Sequence, residues 1–358
     1  MTLVSEPAPR HALADPPPEA EPSGAGDAPW RPVVSITVAM LDEERHIESC
    51  LRSFARQSYP TELLDVIVVD GGSTDRSREI VEAFAVEHPW VRLVDNPHRA
   101  APFAWNIGLA AARGEVFGIF SSHGVPAVDF VERSVAVLAE TGVAGVGGRY
   151  VHRGLDGRST AIGLAMASPV GMASPHRSAT HRAEVDTISH PMYRTEAVRS
   201  VGGFDERLLR NEDYELNWRL RDAGERLLFD PSIASVYRPR PSLGALARQF
   251  WWYGRFKADV LVEHPRSAKV RHLVPPAFAA LVAASPLLAA HRATRRPLLA
   301  VAAAYVGLVL AGTRATRPAE HHASPTVVAR AFPVMHLSWG AGVWAGLAAR
   351  LRRGARGG

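Results

Sequence analysis

Along the first half of the chain, short apolar runs alternate with stretches whose apolar residues recur at i, i+3, i+4 and i+7. Val33 to Met40 (VVSITVAM) predicts a first strand, and Ile47, Cys50, Leu51 and Phe54 share one face of the helix after it. A break at Tyr59-Pro60 leads into a second apolar run that stops at IVVDGGSTD, Ile67 to Asp75. Such a run reads as a strand buried on both faces; Gly71-Gly72 supply a tight turn, and Ser73 can cap the helix predicted over 75–87. Further strands are predicted over 91–94, 116–120 and 143–151, with helices over 100–113, ended by Gly114, and over 129–140. Repeated strand–helix units imply an α/β fold with a mostly parallel sheet flanked by helices.

The pattern then changes. Residues 152–190 lack periodicity and read as a long loop with one short helix, the kind of segment that is usually functional or disordered. GGFDERLLRNEDYELNWRLRDAG follows, with Asn211 placed as an N-cap, Glu212 and Asp213 in the first turn and Gly224 past the end. Beyond Tyr237, SLGALARQFWWYGRFKADVL is amphipathic, with its aromatics beside Arg248, Arg255 and Lys257. It suits an interfacial helix, a sugar and phosphate clamp, or a core helix with a basic face. Three apolar runs close the chain, at 273–290, 297–313 and 331–349, the last interrupted by His336. The first two are just long enough to span a bilayer, with a buried helical hairpin as the competing form. Two spans and an interfacial third segment put nine basic residues on one side against three on the other, which predicts a cytoplasmic catalytic domain at a cell membrane.

Composition narrows the class. At 358 residues and 47% hydrophobic content the chain can build a large core. Its formal charge of +5 comes with arginines set beside apolar runs, which suits a membrane surface and argues against nucleic acid. The single cysteine, Cys50, lies in an apolar stripe and reads as a core thiol. Residues 1–31 carry no apolar signal-like core and read as a disordered tail, followed by a catalytic domain over 32–262 and an apolar helical region over 263–358. GVAGVGG (142–148) lies in or before a strand, whereas a dinucleotide fingerprint follows one. No Walker loop, HExxH or CxxC is present.

Two places concentrate chemistry. At carboxyl ends of strands in open sheets, an acid such as Asp70 can meet a base or sugar, although it can also merely end the strand. Asp213 shares a face with Leu216, Asn217 and Leu220, so it either finds partners or suffers desolvation that lifts its pKa toward a base's range; alternatively, Glu212-Asp213 only complements the helix dipole.

Taken together, VDGGSTD, GGFDE and the acidic NEDYELNWRLRDAG helix resemble the inverting family 2 glycosyltransferases with a GT-A fold. The likeness extends to their membrane-associated branch, which includes succinoglycan-type exopolysaccharide enzymes, and covers roughly residues 33–260. The resemblance implies that Glu43, Asp70 and the Ser73 to Asp75 turn hold the nucleotide of a UDP- or GDP-sugar, with Asn106 beside the donor. It makes Asp213 the general base, with Glu212 next to it. It assigns Gly203 and the segment with Gln249, Trp252 and Arg255 to the acceptor or diphosphate. The acceptor it implies is lipid-linked or a growing glycan. In that branch a motif often reading Asp-Ala-His meets the diphosphate and a divalent metal, Mn²⁺ or Mg²⁺. Here it is Ser121-Ser122-His123, which leaves His123 as the strong ligand and the diphosphate as the metal's main holder. Ala39 and Asp42 also depart from the family's proline and asparagine. Ser121 keeps open a non-catalytic membrane partner that binds nucleotide or glycan without transfer; a nucleotidyltransferase would need a glycine-rich phosphate loop near the N-terminus.

Overall fold

The computed structural model describes residues 30–172, 174, 179–316 and 323–354. Most of the predicted tail, residue 173 and residues 175–178 of the long loop, and Arg317 and Arg356 of the charge count lie outside that set.

The N-terminal half is built from β1 (Val34–Met40), α1 (Ile47–Ala55), β2 (Leu64–Asp70), α2 (Ser77–Glu87), β3 (Val91–Asp95), α3 (Ala101–Ala111) and β4 (Val116–Ser121). β3, β2, β1 and β4 pair in parallel in that order, as crossovers through amphipathic helices require. β1 and β2 are buried along nearly their whole length, which explains their unbroken apolar runs. Gly108 lets α3 approach the sheet, since a Cβ there would lie 1.9 Å from Thr37 Oγ1. Cys50 is fully buried.

Past β4 the sheet becomes mixed. β5 (Val125–Pro126), α4 (Phe130–Thr141), β6 (Gly145–His152), α5 (Gly157–Ala167), β7 (Ala183–Glu184), β8 (Met192–Arg194), α6 (Thr195–Ser200), α7 (Glu212–Asp222) and β9 (Leu227–Tyr237) follow. β8 lies antiparallel between β4 and β6 because it enters from a loop and not a helical crossover. β9 pairs in parallel with β6 and antiparallel with β5 and β7. Pro231 interrupts β9's sequence pattern, and the ladder accommodates it with a register shift between Gly147 and Arg149.

Helices α8 (Leu243–Glu263), α9 (Val270–Ala290), α10 (Arg292–Thr316) and α11 (Pro325–Gly354) complete the chain. The basic HRATRR stretch is mostly the first turns of α10, so α9 and α10 meet at a break of one residue, His291. Both are long and apolar enough to cross a membrane, and only 6% and 11% of their apolar windows are buried. Neither helix is packed within this chain as a buried hairpin would be. The third apolar run instead docks as α11 along α8 and α5, burying Val328, Ala331, Phe332 and Met335 against Ile162, Leu246 and Phe250. Glycines permit the close approach: a Cβ at Gly254 would lie 2.0 Å from the Trp339 carbonyl oxygen, and one at Gly342 2.2 Å from that of Trp251. Arg350 adds ion pairs to Asp259 and Glu263.

Candidate active site

The carboxyl ends of β1 and β2 form an interlocked polar corner. Asp70, 1% exposed, accepts from the Ser73 amide at 3.1 Å and hydroxyl at 2.6 Å, and from Arg78 at 3.4 Å. Ser73 Oγ accepts from the Asp42 amide, Asp42 Oδ1 from the Thr74 amide, Ser77 Oγ from the Glu43 amide and Asp75 Oδ2 from the Glu44 amide. The segment after β2 is therefore a bracket for the loop after β1, and α2 starts three residues later than a Ser73 cap would place it. The bracket holds Asp42 at φ 52° and presents Glu43 to a cavity.

Roughly 1050 Å³ in volume, this cavity lies between the β1 and β4 ends on one wall and α7, α8, α9 and α11 on the other. Among the predicted residues, Glu43, Ser121, His123, Glu212, Asp213, Gln249 and Trp252 line it. Asp70, Ser73, Asp75, Asn106, Gly203 and Arg255 do not. Asn106 braces the turn before α7 from below, donating to the Phe204 carbonyl and accepting from the Phe204 amide at 2.9 and 2.8 Å. Gly203, at φ 72°, leaves room for it, since a Cβ would lie 2.7 Å from Asn106 Oδ1. Arg255 points away and pairs with Asp259 at 3.0 Å.

The acidic helix is fixed at three levels. Arg219 bonds both carboxyl oxygens of Glu215 and the carbonyls of Val201 and Gly203. Asn217 accepts from the Tyr193 hydroxyl at 2.8 Å and donates to Thr187 at 3.0 Å. Asn211 stands at the N-cap position but with φ 65°, and its amide donates to the Tyr253 carbonyl instead of capping the helix. Glu212 and Asp213 thus face the cavity from a rigid mount.

Burial is the main reason the Glu212 carboxyl is pushed above its ordinary value, with the neighbouring Asp213 charge adding to it and a 3.4 Å bond from the Trp105 indole opposing it. Burial likewise raises Asp213, against the Tyr214 amide at 2.7 Å and the nearby Lys257 ammonium. A pair of lifted, adjacent carboxyls is a setting for proton abstraction.

On the opposite wall, Glu43 accepts from His46 at 2.9 Å and His123 at 3.1 Å. Burial alone would raise its pKa, and the two imidazoles outweigh that and hold the carboxyl below its usual value. Glu43, His46 and His123 are groups on this wall able to ligate a divalent ion, yet both imidazoles are bonded to the Glu43 carboxyl. Among the described residues no cluster of three His, Cys, Asp or Glu side chains completes a metal site. Positive charge comes from the protein: Arg238, Arg240, Arg248, Arg271 and Lys257 also line the cavity. Of these, Lys257 falls on the α8 face of Gln249 and Tyr253 by i, i+4 spacing, a signal that separates it from Arg255, which pairs along its own helix. Gln249 donates to Tyr237 and Tyr253, while its buried Oε1 accepts no bond among the described residues.

This arrangement coincides with sequence similarity. Residues 35–202 match the family "Glycosyl transferase family 2". The chain is 32% identical over 312 residues to the succinoglycan biosynthesis protein ExoA of Rhizobium meliloti, covering 86% of this chain and 93% of that one. The chain belongs to glycosyl transferase family 2. It is also 28% identical over 233 residues to a dolichyl N-acetyl-alpha-D-glucosaminyl phosphate 3-beta-D-2,3-diacetamido-2,3-dideoxy-beta-D-glucuronosyltransferase of Methanococcus voltae, covering 63% of this chain and 72% of that one. Its fold matches the Pyrobaculum calidifontis mannosyltransferase PcManGT, solved with GDP-Man and Mn²⁺, at TM-score 0.63 and 22% identity over 91% of this chain and 90% of that one. This family 2 member is thus a glycosyltransferase with a GT-A-type sheet and two apolar C-terminal helices.

Proposed function

We propose that the protein transfers a sugar from a UDP- or GDP-sugar to a lipid-linked or growing polysaccharide acceptor, with inversion at the anomeric carbon, in exopolysaccharide or cell-surface biosynthesis. The observation that carries this is the Glu212-Asp213 pair facing one cavity with a wall of cations. Asp213 takes the acceptor hydroxyl's proton, Glu212 adds to the local negative potential, and the deprotonated oxygen attacks the anomeric carbon as the nucleotide departs. Arg238, Arg240 and Arg248 offset the diphosphate's developing charge.

Glu43, held by His46 and His123, meets the donor's nucleoside end, with Asp70, Ser73 and Asp75 setting its loop and Asn106 and Gly203 setting the turn below α7. Gln249 Oε1 accepts from a sugar hydroxyl, and Trp252, 46% exposed, offers a stacking face. His123 would be the candidate protein ligand for a divalent ion, which would be held mainly by the donor's diphosphate; the fold relative solved with GDP-Man and Mn²⁺ supports a divalent ion with the donor. The two apolar helices anchor the protein in the cell membrane, and the basic residues around them favour a cytoplasmic catalytic domain.

A panel of nucleotide sugars screened for thermal protection of the solubilised full chain tests the reading. One donor should raise the melting temperature in proportion to log concentration; protection by none would contradict it.

A further inference from the structure

Lys257, on α8, is 3% exposed and lines the cavity, yet among the described residues its ammonium has neither a hydrogen-bond acceptor nor an ion-pair partner. Its close contact is the Tyr214 ring, 2.7 Å from ammonium to centroid. Burial pushes its pKa well below the ordinary value, with the Asp213 charge opposing. A buried cation whose nearest counter-charge is not in contact is costly unless an anion arrives.

The surroundings leave positive charge in excess. Asp186, the nearby carboxylate besides Asp213, is already shared by Lys269, Arg221 at 3.5 Å and Arg271 at 3.2 Å. Arg271, His272, Pro275 and Trp339 continue this wall of the cavity. The His272 ring lies 5.7 Å from Tyr214 and 6.4 Å from Trp339. Arg271, His272 and Pro275 belong to the first turns of α9, one of the two exposed apolar helices, whereas Glu43, Ser121 and His123 occupy the wall formed by β1 and β4.

Resting on the glycosyl-transfer reading, we propose that Lys257 and Arg271 form a phosphate subsite for the acceptor, holding the phosphate or diphosphate of a lipid-linked saccharide whose tail leaves along α9 and whose sugar hydroxyl reaches Asp213. The donor's diphosphate shares this chemistry, but its place is by the β1 and β4 wall.

The test measures binding of farnesyl diphosphate, farnesol, UDP and GDP to the full chain in detergent, wild type against Lys257→Met and Arg271→Gln. Lys257→Met should weaken farnesyl diphosphate about 10- to 100-fold, the scale of a lost charge-assisted bond. It should leave farnesol and the better-bound nucleotide within about twofold, with an equal or higher melting temperature. If Lys257→Met does not fold, Arg271→Gln carries the same comparison with an expected loss of about tenfold. A parallel fall in nucleotide affinity would assign Lys257 to the donor and overturn the subsite, as would unchanged farnesyl diphosphate binding. Wild-type nucleotide binding reports separately on the donor reading, so either can fail alone.

Discussion

Arg219 Nη2 donates to the Gly203 carbonyl at 2.6 Å while the same guanidinium grips Glu215. One side chain thus joins the helix bearing Glu212 and Asp213 to the turn that Asn106 braces from below. Arg219→Ala leaves Glu215, 2% exposed, with His264 as its remaining partner at 3.0 Å. A loss of about 2–4 kcal/mol is expected, read as a lower melting temperature with turnover falling in parallel. An unchanged melting temperature would show that the clamp is dispensable.

Ionisation at the acidic pair gives a pH signature. Burial raises both carboxyls above their ordinary values of 4.5 and 3.8, and a base works only when ionised. Turnover should rise with pH through a window above the ordinary carboxylate range. Trp105→Phe removes the indole bond that favours ionised Glu212, so Glu212 keeps its proton to higher pH, its charge no longer opposes ionisation of Asp213, and the acid limb should move to lower pH; a limb that stays put would separate Glu212 from the chemistry. Stability runs the opposite way. An acid whose folded pKa is raised contributes fully below its unfolded pKa, and that contribution is lost as pH rises through the folded value.

Cations across the cavity make a second kinetic prediction. Arg248→Ala should raise the donor KM about tenfold, the scale of one charge-assisted contact. Calorimetric titration of UDP and GDP with and without Mn²⁺ should show nucleotide binding that persists without the ion and strengthens with it. Metal-indifferent binding with no transfer from any donor would fit a partner that has lost catalysis through Ser121.

Helix docking is testable at Gly254. Gly254→Val places a side chain against the Trp339 backbone, 2.0 Å away before any shift, which α8 and α11 relieve only by separating. About 1–3 kcal/mol should be lost, with new protease cuts in α11. Intact protection would mean that the two helices tolerate a wider spacing.

The parallel half of the fold was legible because strands buried on both faces and helices with one apolar stripe leave clear periodicities. β9 was not, because Pro231 breaks its pattern and only the opposing bulge accommodates it. The acidic helix and the Glu43 loop were legible as chemistry. The Ser73 to Ser77 bracket was not, because its bonds go to a loop some thirty residues earlier. Arg255 and Lys257 stand two residues apart on one helix; packing against α11 decides which meets the cavity, with the Arg255–Asp259 spacing as the one local clue. Likewise, apolar content alone did not separate α11 from α9 and α10; its glycines at the α8 contact do.

The most direct measurement compares Asp213→Asn with wild type for sugar transfer and for nucleotide binding in the same preparation. Turnover should fall about 10²- to 10⁴-fold, the scale of a lost general base, while nucleotide affinity stays within about twofold. Undiminished transfer by Asp213→Asn would contradict the assignment of the base and, with it, the reading of the cavity.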